Sequence, residues 1–417
     1  MIDLEDLISY LYERGLSRSE ILLLSAFLTS FRKGIDAKIS LQIVEGALRD
    51  VENIKDYDGP YKPKPLGVRA GEAGLGSRGV GDFIVHEVLL DGKRGEDASA
   101  VGDIVVAVDG FHSRLSSVPL LMGFHASRAA IRDVMVSGAL PLATLIDLHV
   151  ADDTDLSYVF DVTAGASVAG EMAGAPLVGG STLRIGGDMV IGSRVTGGSF
   201  AVGKRVRSWS RFNAKPGHVL CATQGKGGGS VTAFALTHKK YDLIDLTINM
   251  DFVKDIRNAL NAESVVGAFD WTNGGIVLDA YEISKELKVK VVLNDDVYKA
   301  VHPKLLAALE EEGVDPLKFS VDSIVFIASE CSIPGVVEVG HIESGEGVWM
   351  GDKRLEPSFR EAPYTHVKKK VEPLKNPLIL NVGLEYIRSR KELLMKRLRD
   401  NEGSVHRRSV EDTEGEA

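Results

Sequence analysis

The spacing of apolar positions changes several times along the chain, and each change predicts a different kind of element. In the first 58 residues apolar side chains recur three and four positions apart after Ser17–Glu20, a capping-box pattern that predicts a helix. A second helix is predicted from Ser40 to Val51. The prolines that follow, Pro60, Pro63 and Pro65, indicate a stiff linker. We therefore predict a helical extension over residues 1–60.

From about residue 66 to 206 short apolar runs alternate with helical periodicity, which predicts a first domain of strands and helices. Its strands are predicted at Ile104–Val108, Leu142–Val150 and Met189–Gly197, and its helices at Gly123–Ser137 and Asp161–Ala173. The alternation is typical of a mixed α/β domain of the α+β class.

A second unit begins at the turn signal Lys215–Gly217 and extends over about residues 214–350. Its strands are predicted at Val219–Thr223, Val289–Leu293 and Ser323–Ser329, with helices near 249–260, 276–286 and 302–312. Residues 351–417 should contain a Lys-rich loop around Lys368–Lys370 and a helix at about 378–398. The tail Asp400–Ala417 has few apolar residues and no periodicity, so we predict that it is disordered.

Composition narrows the partners and the compartment. The 417 residues are 44% hydrophobic and carry a formal net charge of -10, which argues against general nucleic-acid binding. The acidic start resembles no signal peptide and no apolar run is long enough to span a bilayer, so we expect a cytoplasmic protein with no membrane partner. Cys221 and Cys331 are too few for a disulfide framework or a zinc site, and we expect two buried thiols in a reducing compartment.

Three polar clusters each close an apolar run and are therefore candidates for one site. They are Asp109–Arg114, Arg132–Asp133 and Gly179–Thr182. Strands deliver side chains to a common rim, and glycines let backbone N–H groups approach phosphate oxygens. This pattern favours an anion and metal site. A fourth stretch, Gln224–Ser230, is either a strand-to-helix cradle for an anionic group or an unspecialised loop, since it lacks Walker spacing.

Five motifs in order resemble the superfamily of aminoimidazole ribonucleotide (AIR) synthetase, which includes thiamine-monophosphate kinase and selenophosphate synthetase. Asp109–Leu115 (DGFHSRL) is similar to the synthetase loop DGVGTKL, and Leu177–Thr182 (LVGGST) to LVGGET. The others are Ala130–Asp133 with Gly138–Pro141, Lys215–His218 at the entry to the second domain, and Phe269–Gly275, which resembles D-x-T-D-G-G. Together they extend over about residues 66–350, whereas one glycine pair alone would be weak evidence.

The resemblance implies a two-domain AIR synthase-like fold. Its N-terminal sheet domain would pair with a second copy into a barrel, forming a homodimer, and its C-terminal domain would be an α/β sandwich. The family uses ATP and Mg²⁺ on a small-molecule substrate. Carboxylates suit Mg²⁺, and phosphoryl transfer depends chiefly on positioned phosphates and offset charge.

Matching the motifs residue by residue gives the candidate site. The implied metal ligands are Asp82, Asp109 and Asp133. His112 and Arg114 are candidates for catalysis or phosphate contact, since arginine offers bidentate geometry. The implied nucleotide-binding residues are Gly79, Gly81, Asp109, Gly110, Gly179, Gly180, Ser181, Thr182, Asp270 and Asn273. From spacing alone Asp109 is equally a turn-capping aspartate, Asp133 a partner of Arg128 or Arg132, and Gly179–Gly180 a sharp turn.

Three departures from the family pattern leave two hypotheses for function. Arg132, Ser181 and Asn273 stand where the family usually has asparagine, an acidic residue and aspartate. The nucleophilic cysteine of selenophosphate synthetases and the terminal cysteine of the hydrogenase-maturation dehydratase have no counterpart, which disfavours both activities. The first hypothesis is an ATP- and Mg²⁺-dependent enzyme that phosphorylates or activates a small metabolite in a cleft between the domains. The second is a non-catalytic nucleotide- or metabolite-binding paralogue with a regulatory or assembly role.

Overall fold

The chain divides into two compact units, which are described separately. The computed structural model describes residues 2–67, 70, 75–76, 80–90, 96–185, 190–358, 364–366 and 379–414. The first unit comprises Met1–Pro65 and Glu96–Ser358, and the second comprises Leu66–Gly95 and Phe359–Ala417. The predicted Lys368–Lys370 loop lies outside the described residues. The domain boundaries drawn from the sequence remain predictions.

Three helices at the start of the first unit pack around a core of their own. They are α1 (Leu4–Glu13), α2 (Arg18–Lys33) and α3 (Ala37–Asp56). The capping box at Ser17 and Glu20 is confirmed, because each residue's side chain bonds the other's backbone N–H. Their apolar faces meet at Leu4, Ile8, Ile21, Val44 and Leu48, all of which are buried.

Five strands form the first sheet, and two helices cover one of its faces. The strands β2 (Ser99–Val101), β3 (Ile104–Gly110), β4 (Ala139–Val150), β5 (Leu177–Arg184) and β7 (Val195–Arg205) lie in the order β2-β3-β7-β4-β5. The helices α5 (Pro119–Val136) and α6 (Leu156–Ala173) pack against each other, and both contact β4 and β7. A separate short ladder joins β1 (Ile2–Asp3) to β6 (Val190–Ile191).

The other face of this first sheet is open and apolar. In β3, Val105 and Ala107 are buried, whereas Ile104, Val106 and Val108 between them are exposed. Cross-strand partners share a face, so the same surface continues onto the neighbouring strands. It comprises Val101, Ile104, Val106, Val108, Leu140, Leu183 and Phe200. This group is called the open face below.

The second sheet follows the linker at residues 206–218 and has seven strands in the order β14-β13-β10-β12-β8-β11-β9. Their bounds are β8 Val219–Ala222, β9 Val265–Trp271, β10 Val289–Leu293, β11 Ser323–Ala328, β12 Val337–Ser344, β13 Gly347–Met350 and β14 Lys353–Leu355. The helices of this half are α7 Gly229–His238, α8 Ile244–Thr247, α9 Asp251–Ala259, α10 Gly275–Leu287 and α11 Pro303–Glu311. Every residue of β11 is buried, which explains its unbroken apolar run.

In the second unit, α4 (Val80–Leu89) packs against α12 (Ile379–Glu414). The disorder predicted from Asp400 is wrong as far as Glu414, because α12 continues through it. Once a helix is nucleated, each further residue adds one hydrogen bond at little cost, so propagation needs no apolar face. Among the described residues, none of the helices combines the length and apolar character needed to cross a membrane.

The two cysteines are bonded to each other, so the expectation of two buried thiols is wrong. Cys221 and Cys331 form a disulfide with their Cα atoms 5.8 Å apart and 110 residues of sequence separation. The sequence hides this proximity because it arises from sheet order. Cys221 of β8 lies opposite Phe326 of β11, and the chain leaving β11 reaches Cys331.

Candidate functional site

Two of the three polar clusters lie on one hydrogen-bonded row that crosses the first sheet. Gly110 of β3 is paired with Gly198, Gly198 with Asp147, and Asp147 with Ser181 of β5. β3 and β5 are separated by two strands, so the clusters are about 14 Å apart at the usual strand spacing. The expected common row is present, but its two ends do not touch.

The residues of this row share one face of the sheet, and Asp109 next to it lies on the other. Asp109 pairs with Ser199, which faces α5 through a hydrogen bond between its hydroxyl and that of Ser127, 2.8 Å away. Ser181 pairs with Asp147, which lies on the opposite, open face beside His149 at 3.1 Å. Ser181 therefore cannot replace a family acid on the same face as Asp109.

Gly179, Gly180 and Thr182 lie within β5, so the alternative of a sharp turn is wrong. Among the strands that the structure describes, β5 pairs only with β4, which leaves its other edge without a partner from these strands. A Cβ on Gly180 would collide with the Ile146 carbonyl, and a Cβ on Gly179 would meet nothing within 4 Å. Without side chains, the two glycines leave the backbone of this edge accessible. An edge strand presents unpaired backbone N–H groups, which the phosphate-binding hypothesis requires, and phosphate binding by these glycines remains a prediction.

Arg128 and Arg132 of α5 form buried ion pairs with the second half of the chain. Nε of Arg132 donates to Oδ2 of Asp270 at 2.7 Å, and its Nη1 donates to Oδ2 of Asp322 at 2.6 Å. Nη1 of Arg128 donates to the same Asp322 oxygen at 2.5 Å. Both arginines are 3% exposed. The network joins α5, β9 and the residue before β11, and Arg132 is thus committed to carboxylates instead of pairing with Asp133.

The ion pairs shift the pKa of Asp322 and of Arg132. Burial alone would raise the pKa of Asp322, but Arg132 and Arg128 together hold it below its usual range. Burial alone would lower the pKa of Arg132, and Asp322 and Asp270 raise it above the usual range instead. Asp322 and Arg132 therefore stay charged at neutral pH. Asp270, one of the implied nucleotide-binding residues, is 3% exposed and bonded to Arg132, and its nucleotide-binding role remains a prediction.

Asp109 and Asp133 are partly buried beside this network, where burial and the neighbouring carboxylates disfavour their ionised forms. Burial raises the pKa of Asp109 to about 7, with Arg132 opposing the shift and Asp270 adding to it. Burial also raises the pKa of Asp133 well above its usual value, and Asp270, Asp97 and Asp109 add to the shift. Four carboxylates and two guanidinium groups leave a formal excess of two negative charges. A divalent cation would offset that excess, so this donor set fits Mg²⁺.

The described residues contain no group of three or more His, Cys, Asp or Glu side chains arranged to hold a metal ion. Asp82 belongs to α4 of the second unit, where its carboxylate accepts the Gly76 N–H at 2.9 and 3.0 Å. Gly81 is in the same helix, and Gly79 lies outside the described residues. The roles assigned to these three residues remain predictions.

The glycine-rich stretch Gln224–Ser230 is built around the Arg128–Asp322 pair. A Cβ on Gly228 would collide with Asp322 Oδ2 and crowd Arg128 Nη1, so only glycine fits. The helix α7 begins at the next residue, Gly229. Ser230 in its first turn donates its hydroxyl to Asn273 Oδ1 at 3.1 Å, directly before α10. Two helix N-termini with their partial positive charge therefore lie near the carboxylate network.

His112 and Arg114 lie where β3 leaves the sheet. His112 precedes the 3-10 turn Ser113–Leu115, which contains Arg114, and both side chains are partly buried. They follow the Asp109 end of the row in sequence. The catalytic or phosphate-binding roles of His112 and Arg114 remain predictions.

The sequence interpretation missed His125, Asp322 and Arg211. His125 is 5% exposed, with Nε2 2.9 Å from the Thr232 hydroxyl, and burial lowers its pKa to about 3, so the ring is neutral. Arg211 of the linker is ion-paired with Asp97, with Asp279 at 3.0 Å and with Glu282 at 3.1 Å. Nothing local marks these pairings, because each partner is more than 60 residues away.

Comparison with known proteins agrees with the resemblance in the motifs. Residues 95–203 match the family model described as AIR synthase related protein, N-terminal domain. The uncharacterized protein MJ1416 of Methanocaldococcus jannaschii is 42% identical over 77% of this chain and 78% of its own length. Thiamine-monophosphate kinase of Aquifex aeolicus is 26% identical over 60% of this chain and 83% of its own length.

The solved structure of AaThiL complexed with AMPPCP and TMP shares the fold. It superimposes with a TM-score of 0.56 at 23% identity, covering 68% of this chain and 97% of its own. At that identity the likeness shows common architecture. The ligands and residue roles of AaThiL are therefore not assigned to this chain on the basis of the shared fold.

Proposed function

Because the chain belongs to the AIR synthase-related family and has its α+β fold, we propose that it is an ATP- and Mg²⁺-dependent enzyme that phosphorylates or activates a small metabolite. The observation that carries the proposal is the acidic cluster around Asp109 and Asp133, where burial and neighbouring carboxylates raise both pKa values, so that a bound cation would stabilise the ionised forms. The relatives of this chain include a thiamine-monophosphate kinase, and the chain shares its fold with AaThiL, whose structure contains AMPPCP.

In this proposal Asp109 and Asp133 hold Mg²⁺, which offsets the charge of the phosphates and of the transferred group when it is bound. His112 and Arg114, which follow Asp109, contact the phosphates or the transferred group. Gly179, Gly180, Ser181 and Thr182 on the edge strand bind the far end of the nucleotide.

The remaining predicted residues complete the proposed site. For Gly79, Gly81 and Asp82 the nucleotide-covering and metal-binding roles are those that the resemblance to the family implies. Asp270 and Asn273 would act from the second half, with Asp270 positioned by Arg132 and Asn273 by Ser230. We also propose a cytoplasmic homodimer in which the open faces of two copies pair. The reason is that the open face is a contiguous group of exposed apolar side chains, which indicates an interaction site.

Isothermal titration with Mg²⁺ and AMPPCP tests the nucleotide site. We expect Asp109→Asn and Asp133→Asn each to weaken binding at least tenfold, while the exposed Asp103→Asn at the entry to β3 leaves it unchanged. Unchanged affinity in both site variants would refute the assignment.

One observation favours the second hypothesis, a non-catalytic paralogue. Arg132 donates hydrogen bonds to the carboxylates of Asp270 and Asp322, which would otherwise be available to a ligand or a metal ion. An assay of ATP turnover against pooled phosphate-accepting metabolites separates the two hypotheses. Binding of Mg²⁺ and AMPPCP without turnover of any pool favours the paralogue, and turnover that Asp109→Asn abolishes favours the enzyme.

A further inference from the structure

A pocket lies where the linker between the two sheets passes the start of β9. Its volume is about 450 Å³, within the range of small-molecule sites. We propose that it binds a small organic anion, a phosphate or carboxylate group attached to an aromatic or apolar body. It lies outside residues 95–203, which the family model matches.

The polar lining of the pocket consists mainly of hydrogen-bond donors and cations. Arg207 and Lys215 are in its wall, and no aspartate or glutamate is among its described lining residues. Nε of Arg207 donates to the Leu260 carbonyl at 3.1 Å, which fixes the guanidinium at the pocket. An arginine held in this way is pre-organised for an anion and loses little side-chain freedom on binding.

His218 adds a further donor at the same wall. Its Nδ1 accepts the Lys215 backbone N–H at 3.2 Å, so a neutral ring carries its proton on Nε2. Burial, with Lys215 adding to the effect, lowers the pKa of His218, which keeps the ring neutral at pH 7. The backbone of Lys215 thus sets the orientation in which His218 donates.

Trp209 gives a second, independent observation at this wall. The residue is 7% exposed and packs edge-to-face on Phe326 with ring centroids 6.2 Å apart. Its buried indole N–H has no hydrogen-bond partner within the described part of the chain. Indole N–H can only donate, and buried donors are normally paired, so an acceptor on the ligand would satisfy it once a small movement of the wall exposes the nitrogen.

The rest of the lining accounts for the apolar body of the proposed ligand. Phe212, Val265 and Val266 form the apolar part of the wall. Asn213 is already committed, because its side-chain amide donates to the carbonyls of Ser208 and Val266 at 3.0 and 2.9 Å. These bonds tie the linker to β9 and make the pocket a formed feature of the fold.

Titration of the full chain with phenyl phosphate and, separately, with benzoate tests this site. We expect one of them to bind, and Lys215→Gln and Trp209→Phe each to weaken that binding about tenfold or more. The exposed Lys38→Gln on α3 is the matched control and should leave binding unchanged. Thermal melting of each variant confirms that it is folded.

A second comparison separates this site from the proposed nucleotide site. Asp109→Asn should leave phenyl phosphate or benzoate binding unchanged, whatever its effect on Mg²⁺ and AMPPCP. Absence of binding by either probe would overturn the proposal. So would binding that Asp109→Asn removes while Lys215→Gln leaves it intact, since the probe would then occupy the acidic cluster.

Discussion

At the scale of single residues, Arg132 changes the site more than any other departure from the family pattern. The sequence identified the departure, and the structure shows what replaced the usual asparagine: a guanidinium between Asp270 and Asp322. Asp109 and Asp133 were found from their motifs, but these pairings were not. The residues that Arg132 joins are 138 and 190 positions away, and no local pattern encodes that proximity.

Replacing Arg132 by methionine should lower the free energy of unfolding by about 3–5 kcal/mol, because it leaves Asp270 and Asp322 buried beside a single remaining guanidinium. Arg18→Met is the control. The Arg18–Glu52 pair is solvent-exposed, and its loss should cost less than about 1 kcal/mol. Urea unfolding measures both, and equal losses in the two variants would contradict the importance of the buried network.

His125 should make the protein sensitive to acid. Its pKa is about 3 in the folded state and about 6.5 when unfolded, so protonation favours the unfolded chain. The resulting stability is fully present above pH 6.5 and is lost as pH falls toward 3, by at most about 1.4 kcal/mol per pH unit.

The measurement is the free energy of unfolding against pH for the wild-type chain and for His125→Gln. The variant should be less stable at pH 7, because it alters the contact with Thr232, but its stability should fall less steeply below pH 6.5. Parallel curves would show that another group causes the acid sensitivity.

At the scale of elements, strong periodicity was a reliable guide and its absence was not. The helix predicted at 276–286 is α10, Gly275–Leu287, and the strand predicted at Ile104–Val108 is β3. The strand predicted at Met189–Gly197 is divided: Met189 lies outside the described residues, and Gly192, with φ of 107°, separates β6 from β7. β9 was missed. It is buried on nearly every residue and shows no alternation, which a partly exposed strand would show.

Gly228→Ala tests the packing of the glycine-rich stretch on the ion pairs. The added methyl group would collide with Asp322 Oδ2, so we expect a loss of about 1–3 kcal/mol in the free energy of unfolding. Gly46→Ala is the control, since Gly46 lies within α3 with nothing within 4 Å of an added Cβ.

The control should stabilise the protein by up to about 1 kcal/mol, because alanine favours the helix. Differential scanning calorimetry distinguishes the opposite signs. If Gly228→Ala were as well tolerated as Gly46→Ala, the stretch would not be constrained by the Arg128–Asp322 pair.

At the scale of the whole molecule, sheet order joins parts of the chain that the sequence keeps apart. The fold class and the two sheets followed from the motifs and the alternation. The Cys221–Cys331 disulfide did not, because it depends on β8 and β11 being neighbours. An open apolar face is likewise visible only when the strand order is known.

The disulfide should stabilise the oxidised protein by about 4–5 kcal/mol in the chain-entropy model, because it closes a loop of 110 residues. Unfolding in urea with and without reductant measures this difference. Cys331→Ser should resemble the reduced wild-type chain and should not respond to reductant. A reductant effect of similar size in Cys331→Ser would assign the change to something other than this bond.

Val106→Glu should convert the proposed dimer into a monomer, because it places a charge on the open face, where Val106 is 40% exposed. Ile54→Glu makes the same change at an exposed apolar position of α3 and should leave the dimer intact. Size-exclusion chromatography with light scattering gives the mass of each. A monomeric wild-type chain would refute the pairing.

The row that crosses the first sheet makes ligand binding visible in an unusual way. Gly110, Asp147, Ser181 and Gly198 come from four strands that are widely separated in sequence but adjacent in the fold. A nucleotide bound at both ends of the row would slow amide hydrogen exchange in two separate peptides at once, one around Gly110 and one around Ser181. A ligand held only by Gln224–Ser230 would slow exchange in a single peptide, so the pattern of exchange would reveal the ligand's position before its identity is known.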